Sequence, residues 1–319
     1  MILTPEVLTI FVLNALFAFF ALVAFVLSIK IVLKWDLNSV SQSQYKLEKL
    51  SYLGSTIIKY IFSIKVPLFL FFVFTLDKIS NVLTGAMCAA GVVDATVYGT
   101  PLFVLKIINL YVFAYWIVLH KEDMKYENQP FVKQKFTLFI VAFFLFMAEL
   151  ILEGVMFSSI EIDKMVSCCG TLYSSSSTSA ISSIFSLGDF TLLSIFYGMF
   201  FMLFVFYRLK NKYLFAITNV LFIIISLISL IVFFGTYIYE LPSHHCPFCF
   251  LQGDYYYVGY LIYTLLFLGT FNGVVVGFVP KNELQRVKNY KLSLFFNTLY
   301  VILLSYFPII YYVKNGVWL

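Results

Sequence analysis

Charged side chains are scarce in this sequence. Asp, Glu, Lys and Arg together make up 12% of the 319 residues, whereas hydrophobic residues make up 62%. Soluble domains are about one quarter charged and about half apolar, so this balance excludes an ordinary soluble globular protein. The mean hydropathy of +0.95 predicts that the chain lies in a lipid bilayer.

Motifs of nucleotide-dependent and hydrolytic enzymes are also missing. The sequence contains no Walker phosphate loop, no dinucleotide-binding glycine fingerprint and no Ser-His-Asp pattern. Its basic residues are scattered among loops and not gathered into a patch, so no nucleic acid partner is expected. The lipid bilayer is the one partner that composition alone predicts.

Long apolar runs take the place of these motifs. A helix needs about 20 apolar residues to cross the hydrocarbon core of a bilayer, and runs of this kind recur without a soluble domain between them. We predict an all-α integral membrane protein, a polytopic bundle of about eight transmembrane helices that forms a single domain over 1–319. The predicted spans are 7–33, 57–77, 100–119, 136–157, 185–207, 213–238, 255–279 and 292–313. The polar segment 36–52 is expected to form an amphipathic helix on the membrane surface.

The basic residues predict the orientation of these spans, because Lys and Arg favour short cytoplasmic loops. The first run follows Glu6 and lacks a basic leader, so it is expected to remain as a span and not to be cleaved as a signal peptide. Both termini are then predicted to lie outside the cytoplasm. The membrane is predicted to be the cytoplasmic (inner) membrane of a bacterium. The connections predicted to be cytoplasmic carry Lys46, Lys49, Lys121, Lys125, Lys133, Lys135, Arg208, Lys210, Lys212, Lys281, Arg286, Lys288 and Lys291. The opposite, extracytoplasmic connections carry only Lys78, Lys164 and Lys314.

Reactive side chains concentrate in one short stretch, residues 244–249, which reads His-His-Cys-Pro-Phe-Cys. With the predicted topology, this stretch and the three other cysteines, Cys88, Cys168 and Cys169, all lie on the extracytoplasmic side, facing the periplasm. That compartment is where thiols are oxidised and disulfides are exchanged. The shared side indicates a site of thiol or metal chemistry.

A redox mechanism follows if the seventh span begins just after residue 249. A helix N-terminus stabilises a thiolate through its dipole and unpaired N–H groups, and Pro247 suits a first helical turn. Cys246 is then the candidate nucleophile and Cys249 the resolving thiol. The adjacent pair Cys168 and Cys169 can close only a strained and reducible disulfide, or can pair elsewhere.

Cys88 lies in a run of small residues, 85–91, that contains two glycines. Such a run permits close backbone approach or a short re-entrant turn, and either conformation can bring Cys88 beside another cysteine pair. The candidate catalytic thiols are therefore Cys88, Cys168, Cys169, Cys246 and Cys249.

Metal binding is the alternative interpretation of the same residues. His244, His245, Cys246 and Cys249 offer two imidazoles and two thiols, a set that suits copper or another soft cation. Cys168 and Cys169 offer two further thiols to such a cation, and Met87, next to Cys88, and Met165 add thioethers. The tyrosines that follow the motif, up to Tyr263, are typical of a membrane interface, although they also offer stacking surfaces to a quinone headgroup.

The tetrapeptide Cys-Pro-Phe-Cys resembles the active site of glutaredoxins over four residues only, and the chain has no soluble thioredoxin-type unit. Its general arrangement is similar to that of DsbB-like and vitamin-K-reductase-like membrane oxidoreductases, which have fewer helices. This similarity implies thiol-disulfide exchange with a periplasmic thiol protein, the function that the sequence favours. Copper handling with a periplasmic metalloprotein is the alternative, and a structural or anchoring subunit of a membrane complex is the third.

Ionisable residues inside the apolar spans are costly and are commonly paired or functional. Glu149 and Glu153 lie one turn apart in the fourth span, Lys106 lies in the third, and Asp189 begins the fifth. These four residues are predicted to meet, either as ion pairs that join helices or as a proton or cation path. In the seventh span, Gly269, Gly273 and Gly277 form a stripe that predicts close helix packing.

Overall fold

The computed structural model describes residues 4–36, 41–161, 166, 188–278 and 283–319. Within these ranges the chain is helical and forms no strand. In the part of the chain that the structure describes, eight helices are long and apolar enough to cross a membrane, which confirms the all-α fold class and the predicted number of spans. The protein is therefore an integral membrane protein whose outer helix faces contact lipid. The side on which each terminus lies stays a prediction.

The helices follow the order of the predicted spans, with one short helix between the second and the third span. The sixth span is built from a regular helix, a π-helical turn and a final short helix. The elements are α1 (Pro5–Lys34), α2 (Gln42–Ser80), α3 (Ala89–Asp94), α4 (Gly99–Asp123), α5 (Val132–Ser159), α6 (Asp189–Arg208), α7 (Lys212–Ser229), the π-turn (Leu230–Phe234), α8 (Gly235–Tyr239), α9 (Val258–Phe278) and α10 (Glu283–Asn315).

The second span differs most from its prediction. Residues from Gln42 onward belong to α2, so the polar segment 36–52 does not form a separate surface helix. Ser41 caps α2, because its side chain accepts a hydrogen bond from the Gln44 N–H at 3.3 Å. No proline occurs before Pro67 to interrupt the helix, so α2 continues without a break into the apolar run.

The chain divides into two compact units. The first unit consists of Met1–Val82 and Val92–Lys164. In it, α1 packs against α2 and α5, and α4 packs against the same two helices. Stacked aromatic rings fill the centre of this unit, such as Phe62 on Phe113 with 4.2 Å between centroids. The single domain predicted over 1–319 stays a prediction.

The second unit consists of Leu83–Gly91 and Met165–Leu319. In it, α7 packs between α6 and α9, and α9 packs between α7 and α10. The predicted glycine stripe of α9 lies at these contacts: a Cβ atom on Gly273 would lie 2.1 Å from Asn219 Cγ, and one on Gly269 would lie 2.1 Å from Asn297 Oδ1. The stripe therefore packs this helix closely against α7 and α10, as predicted.

Candidate functional site

Three cysteines of the second unit converge on one point. The Sγ atoms of Cys88, Cys246 and Cys249 all lie within 4.8 Å of one another, and those of Cys88 and Cys246 are 3.5 Å apart. None of the three forms a disulfide with another described residue, and their exposed fractions are 0%, 1% and 6%. We call these three residues the thiol cluster.

The loop that precedes α3 positions Cys88. Gly85 adopts a φ of +89°, a left-handed conformation that favours glycine, and Cys88 follows shortly after this turn. A second segment of the same unit contacts this turn, because the Val166 N–H donates to Thr84 O at 3.0 Å. The small residues of this loop thus place Cys88 beside Cys246, as the sequence predicts.

Cys246 and Cys249 occupy the loop between the sixth and seventh spans. Cys249 opens a short 3₁₀ turn, Cys249–Leu251, a second 3₁₀ turn follows at Gly253–Tyr255, and α9 begins only at Val258. The predicted seventh span, 255–279, agrees with α9, but no span begins directly after residue 249, so the condition of the redox mechanism is not met. The nucleophilic role of Cys246 stays a prediction.

A backbone N–H group contacts the Cys246 sulfur. The Phe248 N–H points at Cys246 Sγ, with 3.4 Å between nitrogen and sulfur. Phe248 itself is buried, so its apolar side chain anchors the peptide that makes this contact.

Two tyrosines hold the same loop through its backbone. Tyr239, the last residue of α8, donates its hydroxyl proton to Cys246 O and accepts the Phe250 N–H at 3.1 Å. Tyr263 of α9 donates to Pro247 O at 2.7 Å. The sequence suggested only an interfacial or quinone-stacking role for the tyrosines after the motif and gave no signal for Tyr239.

A third side chain joins the two segments that carry the thiols. Gln252 Nε2 donates to Met87 O at 3.0 Å, so the 3₁₀ turn that begins at Cys249 is bound to the residue preceding Cys88. Backbone groups fixed in this way keep the three sulfurs close together without a disulfide. Sequence reasoning missed Gln252, because an isolated Gln in a loop has no distinctive pattern.

The two histidines lie beside the thiol cluster and not within it. His245 Nδ1 faces the carbonyl oxygen of Ile231 in the π-turn at 3.1 Å, and the carbonyl accepts. His244 contacts the Tyr239 ring edge-on, with 4.4 Å between centroids. Burial lowers the pKa of His244, and His245 acts in the same direction, while Cys88 opposes the shift. Of the predicted metal ligands His244, His245, Cys246 and Cys249, only the two cysteines share the cluster.

The remaining predicted thiols, Cys168 and Cys169, lie outside the described residues. Their roles as catalytic residues stay predictions, as does that of Met165 as a thioether ligand. Among the described residues, the thiol cluster is the one place where three Cys, His, Asp or Glu side chains approach closely enough to hold a metal ion.

A second group of functional candidates lies in the first unit and forms a closed ring. Lys65 Nζ lies 2.9 Å from Glu149 Oε1 and 3.0 Å from Asn14 Oδ1. Lys106 Nζ lies 2.8 Å from Glu149 Oε1 and 2.5 Å from Glu153 Oε2. Asn14 Nδ2 closes the ring by donating to Glu153 Oε1 at 2.8 Å. We call these five residues the charged ring.

The charged ring brings together three of the four predicted intramembrane charges, Lys106, Glu149 and Glu153. The ring also contains Lys65, which falls within the predicted second span 57–77, and Asn14, for which the sequence gave no sign. Asp189, by contrast, begins α6 in the second unit and is exposed. With two lysines and two glutamates, all at most 6% exposed, the ring balances its own charge, which lowers the cost of burial in an apolar unit.

Comparisons with protein-family models, curated proteins and solved structures give no match. A functional conclusion therefore depends on the geometry of the thiols. Sulfur ligands about 2.3 Å from a shared ion lie about 4 Å from one another, and the cluster, with sulfurs at 3.5 Å to 4.8 Å, has this spacing. A disulfide instead requires two sulfurs at about 2.05 Å.

Proposed function

We propose that this protein binds a thiophilic metal ion, Cu(I) or Zn(II), between the thiolates of Cys88, Cys246 and Cys249. The observation that carries the proposal is the mutual approach of all three sulfurs within 4.8 Å. Thiolates are preferred ligands of both ions. The ion lies on the extracytoplasmic side of a bacterial inner membrane, because the basic loops favour the opposite side.

Burial favours metal binding over exchange with a protein partner. Reactive thiols of oxidoreductases are partly exposed, because they must meet a disulfide of another protein. The cluster thiols are at most 6% exposed, which leaves little surface for such an encounter. A single metal ion is small enough to reach these thiols once it has left its carrier.

Three hydrogen bonds support the proposal by holding the ligand backbone in place before an ion arrives. They come from Tyr239 to Cys246 O, from Tyr263 to Pro247 O and from Gln252 to Met87 O. Groups that orient metal ligands raise affinity, because less conformational freedom is lost on binding. Each thiol releases its proton when it binds as a thiolate, so affinity falls as the pH falls.

The direct test is metal loading of the purified protein under anaerobic, reducing conditions. We expect one ion per chain for the wild type. Cys88→Ser, Cys246→Ser and Cys249→Ser should each lower the affinity at least about 10- to 100-fold, the range found for groups that only support metal ligands. Competition with a chromophoric chelator measures this change. Bound metal should also raise the thermal midpoint, since only the folded chain holds the site.

Met124→Leu provides the control, because it removes a sulfur atom from an exposed residue outside the thiol cluster. This variant is expected to retain the ion with wild-type affinity. Retention of the ion at wild-type affinity in Cys88→Ser, Cys246→Ser and Cys249→Ser would place the metal elsewhere and overturn the proposal.

Thiol-disulfide exchange is the second candidate function, and the 3.5 Å separation of Cys88 Sγ and Cys246 Sγ favours it. In this reaction the two thiols lose two electrons and two protons and form one disulfide, while a disulfide of an extracytoplasmic partner protein becomes a dithiol. Rapid thiol blocking followed by peptide mapping tests it. A Cys88–Cys246 disulfide in the wild type is expected for exchange, as is a mixed disulfide on Cys246 when Cys88 and Cys249 are both replaced by Ser. Three fully reduced thiols with bound metal exclude it.

A further inference from the structure

Met87 and Cys88 are neighbours in the chain with opposite exposure. Met87 is 73% exposed, whereas Cys88 is 0% exposed and lies inside the thiol cluster. The hydrogen bond from Gln252 to Met87 O, 3.0 Å long, fixes the backbone where the chain passes from surface to cluster. An exposed thioether is therefore carried by the residue next to a buried cluster thiol.

We propose that Met87 is the first ligand of an incoming Cu(I) ion, and that the ion this protein takes up is Cu(I) and not Zn(II). This inference depends on the proposed metal-binding function of the thiol cluster. The partner that it implies is an extracytoplasmic Cu(I) carrier that gives up its ion by ligand exchange.

The chemistry of the thioether supports the choice of metal. Thioether sulfur is soft and neutral, and it suits Cu(I), whereas the common protein ligands of Zn(II) are thiolate, imidazole and carboxylate. A thioether binds without losing a proton and holds Cu(I) less tightly than a thiolate does. An ion that reaches Met87 can therefore move on to stronger ligands in the cluster.

The burial of the cluster explains why such a first ligand is needed. A carrier cannot bring its own ligands into contact with sulfurs that are at most 6% exposed. An exposed sulfur can instead accept the ion from the carrier, so that the ion crosses the surface without being released into water. Met87 immediately precedes a cluster thiol in the chain, so adjacent residues carry the exposed sulfur and a buried one.

The test measures the rate of Cu(I) transfer from a Cu(I)–bicinchoninate complex to the full-length protein in detergent, followed by the loss of its absorbance. Met87→Leu keeps the apolar volume but removes the sulfur. We expect transfer to slow several-fold while the final stoichiometry stays at one ion per chain. Met124→Leu, at another exposed methionine that is 45% exposed, is expected to keep the wild-type rate.

A parallel measurement with Zn(II) from a fluorescent chelator separates an entry role from a structural one. Met87→Leu should leave any Zn(II) uptake unchanged, because the thioether contributes little to that ion. An unchanged Cu(I) rate, or equal slowing of both ions, would overturn the role of Met87. Equal affinity for the two ions would overturn the choice of Cu(I), and failure of the wild type to bind either ion would overturn the proposed function itself.

Discussion

Tyr239 is the residue on which the loop of Cys246 and Cys249 most depends. Its one hydroxyl donates to Cys246 O and accepts the Phe250 N–H, so it satisfies two backbone groups of a buried loop at once. Its ring also contacts His244. A single side chain at the end of a span thus orients the peptide of a proposed metal ligand.

Tyr239→Phe tests this role. The variant keeps the ring but leaves the Cys246 carbonyl and the Phe250 N–H without their partner, at a cost of about 1–3 kcal/mol in the free energy of unfolding. Metal affinity should fall about 10-fold or more, as expected when a group that orients a ligand is lost. Thermal unfolding and chelator competition measure the two effects. Tyr256→Phe, at a residue that is 93% exposed, should change neither.

The thiol cluster could be predicted only in part from the residues. The glycine-containing run around Cys88 indicated close backbone approach, and the shared side of all cysteines indicated one site. The positions of the histidines could not be predicted, because side-chain direction depends on where α9 begins, and two 3₁₀ turns delay that start to Val258. Tyr239 was equally hidden, since a tyrosine at the end of a span resembles an ordinary interfacial aromatic.

At the scale of helices, the glycine stripe of α9 makes room for two buried asparagines. Asn297 Nδ2 donates to Asn219 Oδ1 at 3.1 Å, which joins α7 to α10, and Gly273 lies against Asn219. Polar groups paired between helices are favoured in an apolar surrounding, because the alternative is an unsatisfied amide. The glycines therefore permit both close packing and this hydrogen bond.

Gly273→Ala should disrupt this contact. The added Cβ atom would lie 2.1 Å from Asn219 Cγ, so the amide or the helix must move, at a cost of about 1–3 kcal/mol in unfolding free energy. Denaturant unfolding followed by circular dichroism measures the change. Gly198→Ala in α6, where a Cβ atom meets nothing within 4 Å, is expected to be neutral or slightly stabilising. Equal stability of the two variants would contradict this account.

The charged ring joins all four long helices of the first unit. Lys106→Met should lower the free energy of unfolding by about 3–5 kcal/mol, because it leaves a buried carboxylate without compensation. Adding Glu153→Gln to Lys106→Met restores neutrality and should recover part of the loss. Lys59→Met, the same change at an exposed lysine of α2, serves as the control in thermal unfolding. If Lys59→Met lowered the free energy of unfolding as much as Lys106→Met does, the role of the charged ring would be refuted.

At the scale of the whole molecule, the fold class was the most predictable property. Eight spans could be located because apolar length reports directly on membrane crossing. The continuation of α2 back to Gln42 could not be predicted, since hydropathy alone does not show whether a polar segment extends a helix or leaves it. The division into two units was also hidden, because no linker or change in composition marks it.

The orientation in the membrane gives a prediction for the intact chain. Alkaline phosphatase fused after Leu319 should be active, because this enzyme folds only outside the cytoplasm, and a cytoplasm-dependent fluorescent protein fused at the same position should stay dark. Both results follow from the basic loops lying inside. Fluorescence without phosphatase activity would invert the topology and place the thiol cluster in the cytoplasm.

The π-turn in the sixth span determines the direction in which Tyr239 points toward the thiol cluster. A π-turn holds one residue more than the regular helix it interrupts, and one residue corresponds to a rotation of about 100° around a helix axis. Everything beyond Leu230–Phe234, including Tyr239, therefore points in a direction that an uninterrupted helix would not give it. Deleting a single apolar residue from this turn would rotate Tyr239 away from Cys246, although the sequence of residues 244–249 would be unchanged.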